Sequence, residues 1–387
     1  MRLLQFGLFF FSFFLLYGGL HVHFYRKLRR AFRPEGRWKI LAVLALLLLF
    51  LSPPIVRMTE RAGLEVVARI FAWTGYSWMG LLFLFFAVSL LWDLSGFLLR
   101  GAARALKRNP PDRLFSPLWV FAGPLALAAA LSLYGFYEAG HVVSERLVIR
   151  SSKIPEQVGK VRIAQISDVH IGILIGERRV KAIVEEIRKA APDILVSTGD
   201  LVDGQLNCVE GSAELFNALQ PRFGKYSIMG NHEFYAGLEQ AAHFNRCAGF
   251  TVLRGEGMTV AGVLNIAGVD DDAGRPYDAY RPVDEKALLS KLPRRYFTVL
   301  LKHRPFVDRG AAELFDLQLS GHTHQGQIFP FGLLTRLFFP LHAGYFQFLD
   351  GSHLYVSRGT GTWGPPIRLL APPEVTIIDL LPAAQKS

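Results

Sequence analysis

Four runs of about twenty apolar residues crowd the first 137 positions of this 387-residue chain, and the composition changes abruptly after them. They lie at residues 3–24, 38–56, 71–91 and 114–137, rich in Leu, Phe and Ala. Each reaches the roughly 20 residues that a helix needs to cross a bilayer. A chain of this kind is expected to hold a helical transmembrane region over 1–137 and a separate folded domain over 138–387. The second run is the cleanest, with Leu41–Leu51 uninterrupted by a polar residue. Asp93 closes the third; beside Trp92 it fits the headgroup level, and an intramembrane functional carboxylate is the alternative.

Flanking charge sets an expected orientation. Only Arg2 precedes the first run, while Arg26, Lys27, Arg29, Arg30 and Arg33 follow it, so it reads as an anchor and not a cleaved signal. Basic residues crowd the first loop (Arg26 to Lys39) and the third (Arg100, Arg104, Lys107, Arg108, Arg113), more than the second (Arg57 to Arg69). The positive-inside rule places the first and third loops in the cytoplasm. With four spans, the N-terminus and the C-terminal domain then lie outside, in a multi-pass protein of the cell membrane. The net charge of +11 belongs largely to those loops, where it meets anionic lipid, so no nucleic-acid partner is expected. Cys208 and Cys247 are the two cysteines, and nothing in their spacing says whether they pair.

Beyond Glu138 short β-rich runs alternate with helical periodicity. Val161–Ile166, Ile194–Ser197 and Tyr226–Met229 read as strands, separated by amphipathic helices over Glu177–Ala191 and Glu210–Leu219. Later strands are expected at Leu264–Val269, Phe297–Leu301, Leu317–Leu319, Leu354–Val356 and Val375–Ile378. Strand–helix alternation is the mark of parallel βαβ units in an α/β fold. Five clusters of metal-binding residue types then fall where strands end. They are Asp168-Val-His170, Gly199-Asp200-Leu-Val-Asp203, Gly230-Asn231-His232-Glu233, a lone His303 and Gly321-His322-Thr-His324. Open α/β sheets bind ligands at the carboxyl ends of their strands. Oxygen and imidazole donors without thiolate suit Mn, Fe or Zn, and their number exceeds the need of one ion. Two divalent metals sharing a carboxylate, the arrangement that hydrolyses phosphoesters, is the natural reading.

In this order the five clusters resemble the calcineurin-like metallophosphoesterase superfamily, over about Lys160–Leu381. The closing stretch Ser357–Arg368, with Pro372-Pro373-Glu374, is similar to its membrane-associated bacterial branch. The resemblance implies a four-layer α/β/β/α sandwich around a dinuclear metal centre. It implies that Asp168, His170 and His324 hold one metal, that Asn231, His303 and His322 hold the second, and that Asp200 bridges them. A hydroxide shared by the ions would attack phosphorus. His232 would stabilise the transition state or protonate the leaving oxygen, with Asp203 orienting its ring. By itself Asp203 could merely cap a turn, and a lone His303 could be a structural core residue.

Asp270-Asp271-Asp272 could face the site or form an acidic surface turn, and Arg304, Arg358 and Arg368 could each pair with a phosphate or serve the structure. The segment Phe329–Leu341 is strongly apolar for a loop. It is expected to lean on the lipid bilayer or line an acyl-chain groove, a buried crossing being the alternative. Together these readings describe a membrane-anchored phosphoesterase acting on a phosphoester, expected to be lipid-linked. The alternatives are a pyrophosphatase acting on a nucleotide-diphosphate lipid precursor and a non-catalytic membrane adaptor of the same fold.

Overall fold

The computed structural model describes residues 2–108, 116–204, 210–277 and 280–383. Arg113, Cys208 and the first two residues of the fourth apolar run lie outside these. Cys247 is exposed and free. The chain divides into two compact units, Met1–Tyr137 with Gly364–Leu369, and Glu138–Trp363 with Leu370–Ser387.

The first unit is helical: α1 (Arg2–Phe32), α2 (Gly36–Phe50), α3 (Ser52–Arg61), α4 (Glu65–Ala105) and α5 (Pro117–Gly140). Among the described residues α4 and α5 are long and apolar enough to cross a membrane, and α2 with α3 forms a third candidate bent by 53°. The four expected runs therefore fall on two clear spans, one broken span, and α1. The side chains of residues 1–6 and 8–10 at the start of that run are not among those described. Where helices meet, small residues let them approach. A Cβ on Gly75 would lie 2.0 Å from Ser52 Oγ, so α3 and α4 touch there. Phe24 packs edge-on against Trp78, Phe85 and Phe121, with ring centroids 5.0, 4.9 and 5.4 Å away. Polar pairs line the meeting of α1 and α4. Trp78 donates to His21 (3.0 Å), His23 meets Ser89 (2.7 Å) and Lys27 pairs with Asp93 (2.7 Å). Gly364–Leu369 groups with the helices because Ile367 fits beside Gly80 and the Arg368 N–H donates to the Gly135 carbonyl (3.0 Å).

The second unit contains two mixed six-stranded sheets. Its strands are β1 (Val143–Ser151), β2 (Val161–Ile166), β3 (Ile194–Ser197), β4 (Lys225–Ser227), β5 (Thr251–Val252), β6 (Glu256–Val260), β7 (Leu264–Gly268), β8 (Phe297–Leu301), β9 (Leu317–Ser320), β10 (Gly344–Gln347), β11 (His353–Val356) and β12 (Glu374–Pro382). One sheet runs β1-β12-β2-β3-β4-β5, the other β10-β11-β9-β8-β7-β6. Strands β2 to β5 are mutually parallel, as are β7, β8, β9 and β11. The helices are α6 (Glu177–Ala190), α7 (Glu210–Asn217), α8 (Asn231–Ala236), α9 (Leu238–Cys247), α10 (Glu285–Leu289) and α11 (Phe331–Phe338).

Alternation along the strands builds the core. Val161 and Ile163 of β2 join Val299, Leu301, Leu317 and Leu319 of the other sheet, while Ala164 and Ile166 pack against α6. Helix α6 buries Val180, Ile183, Val184 and Ile187 at helical spacing, and ends at Ala191 in a left-handed turn (φ 47°) just before Pro192. A polar tie crosses between the sheets: buried Gln165 of β2 donates to the Ser320 carbonyl of β9 (2.9 Å).

The long closing strand β12 is anchored by Arg162, whose guanidinium grips both oxygens of Asp379 (2.7 and 2.9 Å). That hydrogen bond holds the Asp379 carboxyl below its ordinary 3.8, so the pair stabilises the fold above that pH and the benefit fades as pH falls through it. Arg162→Met is expected to cost about 1–2 kcal/mol at pH 7, in chemical denaturation followed by circular dichroism. The difference from wild type should shrink steadily below about pH 4; a deficit independent of pH would refute the assignment.

Candidate metal centre

The carboxyl ends of both sets of parallel strands converge. β2 runs into Ser167-Asp168-Val169-His170, β3 into Thr198-Gly199-Asp200, and β4 leads to Asn231 at the start of α8; β8 delivers His303, and β9 delivers His322 and His324. All seven expected ligands are thereby brought together, each buried or nearly so. Ligand atoms of Asp168, His170 and His324 lie within 4.8 Å of one another, as do those of Asp200, His303 and His322. Asn231 Oδ1 joins the second group, 3.1 Å from His303 Nε2. Asp200 faces both groups, its Oδ2 lying 3.2 Å from His303 Nε2 and 3.9 Å from His170 Nε2.

The chemistry of these donors fits a cation. His303 Nδ1 faces the Thr198 carbonyl (2.8 Å), so in the neutral ring Nδ1 carries the proton and Nε2 presents a lone pair. That lone pair meets Asp200 Oδ2, Asn231 Oδ1 and, at 3.2 Å, His322 Nδ1. In the other group His170 Nε2 and His324 Nε2 stand 3.1 Å apart, with Asp168 Oδ1 3.4 Å from His324. So many nitrogen and oxygen donors packed this closely suit a cation between them. Burial and the neighbouring carboxylates pull the ring acidities apart. Burial alone would depress His303, yet Asp200 carries it up to about 10. His170, where burial dominates and His232 adds to it, is pushed down to about 3.

Five of the seven residues hold left-handed backbone: Asp168, His170, Asp200, His322 and His324, with φ between 49° and 71°. Outside glycine this is uncommon, though Asp and His tolerate it better than most. It persists only where the surroundings over-determine it. Here they do. The wholly buried Glu233 accepts the backbone N–H groups of Asp200 (2.9 Å), Leu201 (2.7 Å) and Gly230 (2.8 Å). Asp168 N–H donates to the Gly199 carbonyl and His170 N–H to that of Asp200 (both 3.0 Å). Behind them Thr360 and Gly361 donate to the carbonyls of Ser167 (2.7 Å) and Asp168 (3.0 Å). The sequence places Glu233 in the third cluster but gives it no role, although its position three residues after a helix cap is a capping-box signal. It also assigned Thr360 and Gly361 no contact.

His232 sits beside the donors. Its Nδ1 lies 3.0 Å from Asp203 Oδ1, and its ring stands edge-on to His170, Tyr235 and Trp363. Burial opposes its charged form, but Asp200 and Asp203 raise it to about 9. Of the other charged candidates, Asp270 is taken by Arg254 and Arg304 pairs with buried Asp271 (2.9 Å). Arg358 ties Glu145 to Glu374, and Arg368 is wholly buried. The apolar segment is not a buried crossing: α11 has no buried residue, Leu337 and Phe338 are 77% and 68% exposed, and Phe339 touches the His322 ring edge-on.

The family profile described as calcineurin-like phosphoesterase matches residues 161–326. The "Uncharacterized metallophosphoesterase" of Aquifex aeolicus is 39% identical over 255 residues, covering 66% of this chain and 97% of that protein. The zebrafish "Transmembrane protein with metallophosphoesterase domain" is 29% identical over 276 residues, and the match covers 66% of this chain and 61% of that one. Among solved structures, a 5'-nucleotidase precursor from Thermus thermophilus aligns with a TM-score of 0.36 at 19% identity, over 57% of this chain and 54% of its own length.

Gly321 leaves no room for a side chain. A Cβ there would stand 1.9 Å from Ser167 Oγ and 2.3 Å from Asp168 Oδ2. Gly321→Ala is therefore expected to lower divalent-metal affinity about 10- to 100-fold by displacing Asp168. Elemental analysis after dialysis against a metal buffer reads this out, with circular dichroism confirming the fold; full metal content would show that the carboxylate is not a ligand.

Proposed function

The chain belongs to the calcineurin-like metallophosphoesterase family and is a metal-dependent phosphoester hydrolase, and from that premise we propose that it is a membrane-anchored enzyme with a dinuclear centre acting on a lipid-linked phosphoester. The observation that carries this reading is the convergence of seven oxygen and nitrogen donors on two clusters that share Asp200. In this assignment Asp168, His170 and His324 would hold one divalent ion and Asn231, His303 and His322 the other, with Asp200 placed to serve both; Mn, Fe and Zn all suit such donors. Two bound ions would lower the pKa of a shared water and neutralise charge on the phosphoryl oxygens.

The residues of the chain supply the rest. A water oxygen bonds to phosphorus as the bond to the leaving oxygen breaks, the surplus proton of that water passing to solvent. His232, its Nδ1–H held by Asp203, keeps Nε2 for the site and delivers a proton to that leaving oxygen. Tyr235 and Trp363 border the same ring.

The lipid assignment rests on two features. The chain carries membrane-length apolar helices, and the exposed apolar face of α11 reaches the centre through Phe339 and His322. A phosphoester with an acyl tail could lay that tail on α11 while its phosphate meets the donors, with the bilayer as the partner of the helices. On this reading α1, the α2–α3 pair, α4 and α5 make four spans, and the hydrolase unit faces outward from the cytoplasm as a four-layer α/β/β/α sandwich. A pyrophosphatase acting on a nucleotide-diphosphate lipid precursor is the second reading; the flanking charge disfavours it, because that substrate class is cytoplasmic.

Purified full-length protein, loaded with Mn²⁺, Fe²⁺ or Zn²⁺, is expected to hydrolyse members of a lipid, nucleotide and aryl phosphoester panel. His232→Ala should lower kcat about 10²- to 10⁴-fold with metal content unchanged, and full activity would remove His232 from the chemistry. Leu337→Ser with Phe338→Ser should impair hydrolysis of a lipid phosphoester in mixed micelles more than that of p-nitrophenyl phosphate. Equal effects on the two would sink the acyl-chain surface.

A further inference from the structure

A cleft of about 170 Å³ opens beside the second donor cluster, where the ends of β7 and β8 part. Its walls include His303, Arg304, Phe306, Lys302, Arg275 and Tyr280. Its cations differ in one respect. Arg275 pairs with Asp272 (2.9 Å), Lys302 with Glu285 (2.5 Å) and Arg281 with Glu256 (3.1 Å). Arg304 is held from one side only, its Nε 2.9 Å from Asp271 Oδ2. Asp271 is itself fixed: it is buried, its Oδ1 accepts the Ala273 N–H (2.8 Å), and its own N–H donates to the Met229 carbonyl (3.0 Å). Among the described residues the two terminal amino groups of Arg304 donate no hydrogen bond. Nε faces Asp271 as an ion pair without an aligned hydrogen bond, and a guanidinium whose donors are left over in this way is suited to bidentate capture of an oxyanion.

The place of Arg304 beside the second donor cluster decides which oxyanion. His303 turns its ring inward to Thr198 and Asn231, while the next residue, Arg304, turns to Asp271 on the cleft wall. His303, a member of the second donor cluster, and Arg304 line the same cleft. A group gripped there sits one step outward from the phosphoryl group between the clusters. We propose that this cleft is a subsite for a second oxyanion of the substrate, a phosphate or carboxylate linked to the scissile phosphoryl, and that Arg304 is its specificity-determining residue.

This inference rests on the phosphoesterase reading and narrows it to substrates with two adjacent anionic groups. The test compares binding of methylphosphonate, with one oxyanion, and methylenediphosphonate, with two, to full-length Mn²⁺-loaded protein by equilibrium titration at fixed excess metal. Chelation by the probes is common to all proteins compared and cancels in the ratio. Wild type should prefer the diphosphonate, and Arg304→Lys should reduce that preference about tenfold while leaving methylphosphonate affinity unchanged. Lysine keeps a cation beside Asp271, so the fold is retained; Arg304→Ala, which does not, should lose the preference too. An unchanged preference in Arg304→Lys, or equal weakening of both probes, overturns the subsite. Failure of methylphosphonate to bind loaded wild type would instead overturn the phosphoesterase reading itself.

Discussion

One carboxylate joins the two sheets of the hydrolase unit. Asp168, at the end of β2, accepts the backbone N–H of His322, at the end of β9, with both of its oxygens (3.0 and 2.9 Å). Each donor cluster draws from both sheets: Asp168 and His170 from one with His324 from the other, then Asp200 and Asn231 with His303 and His322. Neither sheet alone could assemble either group. The Gln165–Ser320 hydrogen bond and the apolar core between the sheets hold the same alignment from below. The centre therefore depends on the relative placement of two separately built sheets, and a shift of about 1 Å between them would cost much of the activity such a site can support.

Much of this was legible from the sequence because the parallel strands announce themselves. β2, β3 and β8 fall where hydrophobic runs and turn residues place them, and the donors follow directly at their carboxyl ends. β1, β5, β6 and β10 were not visible. β1 reads Val-Ser-Glu-Arg-Leu-Val-Ile-Arg-Ser, largely exposed, and its strand identity comes from parallel pairing with β12 more than 200 residues away. α11 reads from the sequence as an apolar loop; its eight residues, between Pro330 and Pro340, are too few for a clear periodic signal. Within the centre the donor types could be read and their support could not. Glu233 acts through backbone N–H groups that only the folded turn presents, and Thr360 with Gly361 meet Ser167 and Asp168 across nearly 200 positions of chain.

The helical unit shows the same limit of one-dimensional reading. In the sequence His21 and His23 belong to no motif, and Asp93 is a lone acid just past an apolar run. In the structure His21, His23 and Lys27 on α1 meet Trp78, Ser89 and Asp93 on α4. Hydrogen bonds between helices in an apolar surrounding are worth about 0.6–2 kcal/mol each. Three of them along one seam fix the register of α1 against α4, which the Phe24 cluster alone would leave freer to slide.

The left-handed backbone at Asp168, His170, Asp200, His322 and His324 has a consequence for anyone copying this centre. A list of seven side chains grafted onto regular strands or helices would point them elsewhere, since those elements supply only negative φ. What must be transplanted is the path of the loops, with their glycines and the carboxylate of Glu233 that gathers their amides. Portability thus belongs to the main chain, and the ligand identities are the easier half to reproduce.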